Sequence, residues 1–254
     1  MEKIADHYGI PSIHMGMEVA ALAKAGKLLW KAKLPKTPEE KQALGEKFVF
    51  APDSVHPHPE TGHELYLQAI IRSWTPIISA SKSPADHVLG APFVANHYEM
   101  AKLVPIQEAT VSAGFRALDP KTDDFGKRWS NRMTSLYKGT KPGETISFQF
   151  KGTRCAIYDI IGPDCGQVTL TLDDQPARII PRFDAYCVYH RLSALLIGTD
   201  LPDKVHRVKL QIHPDQPNKA AILAKNKNTI DKPDRFNGTA FYPGALLLVG
   251  ELVK

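Results

Sequence analysis

Apolar positions in this chain follow two different periods, and the change falls near residue 80. Within residues 17–33, Val19, Leu22, Leu29 and Trp30 recur at helical spacing and predict an amphipathic helix. Leu67, Ile70, Ile71 and Trp74 repeat at i, i+3, i+4 and i+7. They predict a helix ending at Trp74 and packed on a sheet by that stripe, with Trp30 and Trp74 in the core. Thr61-Gly62-His63-Glu64 at its start has the spacing of a capping box. Tyr8 to His14 reads as a short buried strand entered from a helix that ends at Gly9, and Phe48-Val49-Phe50 as a second strand. Pro35, Pro38 and the charged run to Lys47 form a polar connection between them. Such alternation is a piece of an α/β layer fold. Two short strands cannot make a covered parallel sheet, so further strands must come from elsewhere.

Pro76, Ser79, Ser81, Ser83, Pro84 and Pro92 then break regularity, and a linker is expected over 81–102. From residue 103 the period becomes two. Thr145 to Phe150 alternates, as do Val168, Leu170, Leu172 and Val208, Leu210, Ile212; Arg191–Ile197 and Ala245–Val253 supply further strands. Turns are expected at Lys141-Pro142-Gly143, Gly162-Pro163-Asp164, Asp173-Asp174 and Leu201-Pro202-Asp203. Short strands with such turns predict a β-sandwich of jelly-roll type over 103–254, following an α/β portion over 1–80.

Composition narrows the function classes. Apolar residues make up 43% of the 254 and charged residues 23%, the balance of a soluble globular chain. No apolar run reaches the length of a membrane helix, and the first residues lack the pattern of a secretory signal. As written, the chain is expected to stay where it is made. The net charge is +5 and the pI about 9.0, but the basic residues are dispersed and no compact nucleic-acid motif is present. Neither nucleic acid nor membrane is expected as a partner. Cys155, Cys165 and Cys187 lack paired metal-ligand spacing and read as buried free thiols, one disulfide being the alternative. Asn237-Gly238-Thr239 fits a glycosylation sequon and, without a secretion signal, reads as chance.

The chemistry concentrates in Phe50-Ala51-Pro52-Asp53-Ser54-Val55-His56-Pro57. An Asp and a His three residues apart at a strand-to-helix turn can point together. The carboxylate then fixes the imidazole tautomer and leaves the other nitrogen as a general base for a serine hydroxyl. This stretch resembles the last sequence block of the SGNH-hydrolase (GDSL-type esterase) family, an Asp-x-x-His-Pro motif before the final helix, matched by Asp53, His56 and Pro57 with Gly62 opening that helix. Tyr8-Gly9-Ile10-Pro11 and the helix after it are similar to that family's penultimate βα unit. The resemblance covers about residues 1–75. It implies a three-layer, flavodoxin-like α/β fold and hydrolysis of esters, often acetyl groups on carbohydrates, by a protein that is secreted or periplasmic when intact. Within it His56 is the base and Asp53 its orienter.

The departure from that pattern concerns the nucleophile. The family's Gly-Asp-Ser block, and the Gly and Asn blocks of its oxyanion hole, precede the Asp-x-x-His block, and no Gly-Asp-Ser occurs here. Ser12, Ser54 and Ser73 have no matching context, and Asn96 and Asn131 come too late. The isolated chain is therefore expected to be inactive as an esterase. It reads as a piece of a longer product, as one half of an assembly completed by another chain, or as a structural remnant. An open sheet edge would favour association.

Trp129, Tyr137, Tyr158, Tyr186, Tyr189 and Arg191 could form an aromatic sugar platform in the β module, with Asp184 or Arg182 bonding hydroxyls. Ordinary core packing competes with that reading. His56, His58, His63 and Asp53 match no common zinc spacing, so no metal and no cofactor are implied. Two function classes result: the C-terminal part of an ester hydrolase acting on a small-molecule or carbohydrate ester, or a carbohydrate-binding module with a non-catalytic α/β remnant.

Overall fold

The computed structural model describes residues 2–81, 88–95 and 97–254. Lys82 to His87 and Asn96, part of the expected linker, lie outside the described residues. The chain divides into two compact units, Met1–Ala95 and Asn96–Lys254.

The first unit runs α1 (Glu2–Tyr8), α2 (Met17–Lys24), β1 (Leu28–Lys31), α3 (Pro38–Leu44), β2 (Phe48–Ala51) and α4 (Gly62–Ala80). Strands β1 and β2 pair in parallel, Leu28 opposite Phe48 and Lys31 opposite Ala51. Val19, Leu28, Phe50, Ala51 and Leu65 form the small core beneath them.

Several expectations change here. The helix over 17–33 stops at Lys24, because Gly26 takes φ +70°, and Leu29 and Trp30 lie in β1. Gly9 does end α1, at φ +62°, but residues 10–14 form no strand. Among the described residues no strand pairs with them to complete a hydrogen-bonded ladder. The expected polar connection holds α3, and the capping box sits there: Glu40 N–H donates to Thr37 Oγ1 and Thr37 N–H to Glu40 Oε2. Thr61 makes no such cap. Its hydroxyl donates to the Val49 carbonyl, while Glu64 accepts from Gln68.

Helix α4 continues to Ala80 through Pro76 and buries Gly62, Leu65 and Ala69. The stripe expected to face the sheet is instead open to solvent: Leu67, Ile70 and Ile71 are exposed, Trp74 is 59% exposed and Trp30 50%. α2 and β2 cover only the Leu65–Ala69 side of the helix, so the second apolar face is left open among the described residues.

The second unit contains β3 (Ala101–Pro105), β4 (Thr110–Val111), β5 (Arg116–Ala117), α5 (Asp124–Trp129), β6 (Tyr137–Lys138), β7 (Thr145–Ile161), β8 (Gln167–Leu172), β9 (Arg178–Pro181), β10 (Arg191–Gly198), β11 (Lys204–Ile212), α6 (Lys219–Ala224) and β12 (Tyr242–Val253). Eight strands form one antiparallel network ordered β3-β12-β7-β11-β8-β9, with β10 and β4 also on β7. β7 is its spine. Its first half pairs with β11 and its second with β10, while β12 runs along the other edge. Between the halves, Gly152 and Gly250 meet at φ +155° and +142°. A Cβ on Gly152 would lie 2.2 Å from the Val249 carbonyl oxygen, so only glycine allows this bend. Val168, Leu170, Val208, Leu210 and Ile212 are buried in the main core with Phe150, Ile157 and Leu195. The three cysteines are free and buried, and burial pushes the Cys187 thiol up to about 12.

One charged pair lies inside this apolar interior. Arg182 donates through Nε and Nη2 to Asp159 at 2.8 and 2.7 Å, and Asp159 is 0% exposed. Arg182 is thus occupied and buried, not free for sugar hydroxyls. Arg182→Met should cost about 3–5 kcal/mol by stranding a buried carboxylate. Adding Asp159→Asn should recover part of that loss in guanidinium unfolding. An unchanged midpoint for R182M would mean that Asp159 is solvated.

Candidate active site

The end of β2 sets the geometry of the Asp53–His56 turn. After Ala51 the chain leaves the strand, and Asp53 Oδ1 accepts from the backbone N–H groups of Val55 (2.9 Å) and His56 (2.8 Å). That closes a local turn with Ser54 at φ +71°. The remaining oxygen, Oδ2, meets His56 Nδ1 at 2.6 Å. Two backbone donors and the imidazole hold the Asp53 carboxyl well below the usual carboxylate range, with the His56 backbone N–H contributing most. An ionised carboxylate only accepts, so Nδ1 is the nitrogen that carries the proton, and in the neutral imidazole Nε2 is the one left with a lone pair. The His56 side chain is 81% exposed.

The segment beyond the dyad is tightly built. The His58 backbone N–H donates to the Phe50 carbonyl at 2.8 Å, and its Nε2 lies 3.0 Å from the Ala32 carbonyl. Gly62 is forced: a Cβ there would lie 2.5 Å from Pro57 Cβ and 2.8 Å from the Phe50 oxygen. The strand end, the Pro57 turn and the start of α4 are thereby locked together, at the C-terminal rim of a parallel pair where open α/β sheets place their ligands. Among the described residues no three His, Cys, Asp or Glu side chains converge on a point that could hold a metal.

The β-module candidates separate. Trp129 is 6% exposed and packs with Leu118, Met133, Leu136 and Tyr242, so its indole face is taken by the core and not offered to a ligand. Tyr186 is 54% exposed and Tyr189 is also exposed. The Arg191 guanidinium lies 5.9 Å from the Tyr186 ring and pairs with Asp184. Burial, the largest single influence, raises the Asp184 carboxyl, but the Arg191 hydrogen bond and charge and the Tyr186 backbone N–H together outweigh it, and the net shift is downward. Asn228 donates to the Ala185 carbonyl at 2.7 Å and Arg235 to the Val188 carbonyl at 2.9 Å, bracing the loop that carries both tyrosines. The structure therefore brings Tyr186, Tyr189, Asp184 and Arg191 together and leaves Trp129 apart. Sequence reasoning missed a second Asp–His contact, Asp164 Oδ1 to His190 Nε2 at 2.7 Å, with Tyr242 donating to Oδ2 at 2.5 Å. Separations of 26 and 78 residues left no local signal for it.

The dyad has a pH signature. The Asp53 carboxyl is depressed in the folded state, so its turn is at full strength above the ordinary value of about 3.8 and weakens only as pH falls through the lowered folded value. Carbon-detected NMR should find Asp53 still ionised where other exposed carboxylates have titrated. Nitrogen shifts should show the Nδ1–H tautomer at His56, and Asp53→Asn should abolish its preference. An ordinary Asp53 titration would contradict the turn.

The chain matches no protein-family model and no curated protein sequence. Among solved structures it is similar to a two-domain esterase active on acetylated mannans, at 17% identity and TM-score 0.63, over 100% of this chain and 58% of that one. The same esterase co-crystallised with mannopentaose gives 18%, 0.62, 99% and 57%. A family two carbohydrate esterase from Cellvibrio japonicus aligns at TM-score 0.35 and 12% identity, over 61% of this chain and 36% of that one. The chain thus spans less than two thirds of the esterase it resembles in fold, and over its own length it shares the fold of a carbohydrate-active esterase.

Proposed function

We propose that Asp53 and His56 are the orienting carboxylate and general base of an SGNH-type serine ester hydrolase acting on O-acylated carbohydrate. Residues 1–80 are then the C-terminal part of its α/β domain, and 103–254 a jelly-roll-like sandwich turning its corner at Gly152 and Gly250. The observation that carries this reading is the 2.6 Å contact from His56 Nδ1 to an ionised Asp53 at the rim of parallel strands. The fold shared with an esterase active on acetylated mannans supports the substrate class.

In the reaction, Nε2 of His56 takes the serine proton as the serine oxygen bonds to the acyl carbon. Asp53 stabilises the imidazolium that forms. The same proton then passes to the departing sugar oxygen, and water repeats the cycle on the acyl-serine. The serine comes from polypeptide outside these 254 residues, which hold no Gly-Asp-Ser block. The exposed stripe of α4 and the open edges of β1 and β2 are where that polypeptide would pack.

A second reading, a carbohydrate-binding module, is favoured by the braced loop with exposed Tyr186 and Tyr189. Aromatic faces stack on sugar C–H surfaces, and Asp184 with Arg191 would bond hydroxyls.

The chain alone should hydrolyse a chromogenic acetate ester no faster than its His56→Ala variant. A His56-dependent turnover would reveal a nucleophile within the chain. Once the serine-bearing polypeptide is joined, His56→Ala should lower kcat by about 10³-fold or more. Retardation in an acetylated-mannan gel that survives His56→Ala and fails in Tyr186→Ala would favour the binding module.

A further inference from the structure

Lys219 opens α6 yet points into the protein, where it is 5% exposed. Its Nζ donates to the carbonyls of Pro163 (3.1 Å), Phe236 (2.6 Å) and Gly238 (2.9 Å), which uses all three ammonium donors. The Phe183 ring lies 5.3 Å away, within cation–π range. Among the described residues no carboxylate pairs with it directly. The charge is met by three carbonyl dipoles and a ring face, supplied by three separate places in the chain. The position runs against local preference, since a cation in the first turn of a helix opposes the helix dipole. Burial also pulls the ammonium below the usual lysine range, with the Asp164 charge opposing it. Something other than local propensity holds Lys219 there.

We propose that the carbonyl oxygens of Pro163, Phe236 and Gly238, roofed by Phe183, form a receptor for a small monovalent cation of ammonium type, which this chain fills with its own Lys219. The receptor joins the turn between β7 and β8 to the segment before β12. Phe183 and Phe236 pack with Cys187 and Leu223 in one buried cluster, so the cation also anchors the start of the loop that carries Tyr186 and Tyr189. Gly238 fits its place because a Cβ would meet the Asp164 carbonyl oxygen at 2.4 Å, which keeps two of the three loops in contact. Without the ammonium, the buried Pro163 and Phe236 carbonyls and the half-buried Gly238 carbonyl would lose their shared donor, and a free ammonium or methylammonium ion has the charge, size and donors to replace it.

The 254-residue chain and Lys219→Ala are melted by calorimetry in ammonium, methylammonium and tetramethylammonium chloride at equal ionic strength. The wild type should melt alike in all three. Lys219→Ala should lose roughly 5 °C or more in tetramethylammonium, which is too large and has no N–H, and regain at least half in the two smaller salts. Lys219→Met, which fills the space without charge, should be destabilised and show no such rescue. Equal melting of Lys219→Ala and wild type, or equal behaviour of Lys219→Ala in the three salts, would overturn the receptor. Reductive methylation of the native wild type, mapped by peptide mass, keeps the test open if the variants fail to fold. Lys219 should stay unmodified while exposed Lys225 and Lys227 react, and prompt methylation of Lys219 would overturn the proposal.

Discussion

Four residues of β2 lying parallel to β1 decide what the candidate site can do. The ladder from Leu28–Phe48 to Lys31–Ala51 ends at Ala51, and two residues later Asp53 folds back to accept from the backbone of its own turn. Only one carboxylate oxygen is used that way, so the second is free to hold the imidazole. Shift the strand end by one residue and the alternation of side chains would turn Asp53 to the other face. The close approach of Gly62 to Pro57 fixes the same geometry from the helix side.

The two units solve their packing differently. The second closes its main core by antiparallel pairing along one long strand, and its buried polar side chains are matched: Asp159 by Arg182, Lys219 by three carbonyls, His206 by Asp173 and the Pro202 carbonyl. The first leaves two tryptophans and an apolar helix face in solvent. An exposed patch of that kind marks a surface built to be covered, and it occurs in the same unit as the proposed base.

In the β module, rigidity is concentrated where polar side chains reach backbone carbonyls across long stretches of sequence. Asn228 to Ala185 and Arg235 to Val188 hold residues 183–190 directly, and Lys219 bonds Pro163, Phe236 and Gly238 beneath the Phe183 ring at the start of that segment. A loop held this way loses little conformational entropy on meeting a ligand. That favours Tyr186 and Tyr189 over Trp129, whose ring is already spent in the core.

Local information determined much of this protein. The period-two runs at Thr145–Phe150, Val168–Leu172 and Val208–Ile212 lie in strands, because alternation is a property of neighbouring residues. The Asp53–His56 contact was equally legible, since both partners sit within one turn. Tertiary structure decided the rest. The stripe of α4 was correctly seen as apolar, but whether it is buried depends on strands elsewhere, and Leu65 and Ala69 won the sheet. The capping box fell at Thr37 instead of Thr61 because the Thr61 hydroxyl is drawn to Val49. Trp129 and Tyr186 are both aromatic residues of the β module, and only their packing partners made one core and the other surface. Nothing local marks Lys219, whose carbonyl partners Pro163, Phe236 and Gly238 are brought around it only by the fold. Periodicity reports which side of an element is apolar; what that side meets is set by contacts distant in sequence.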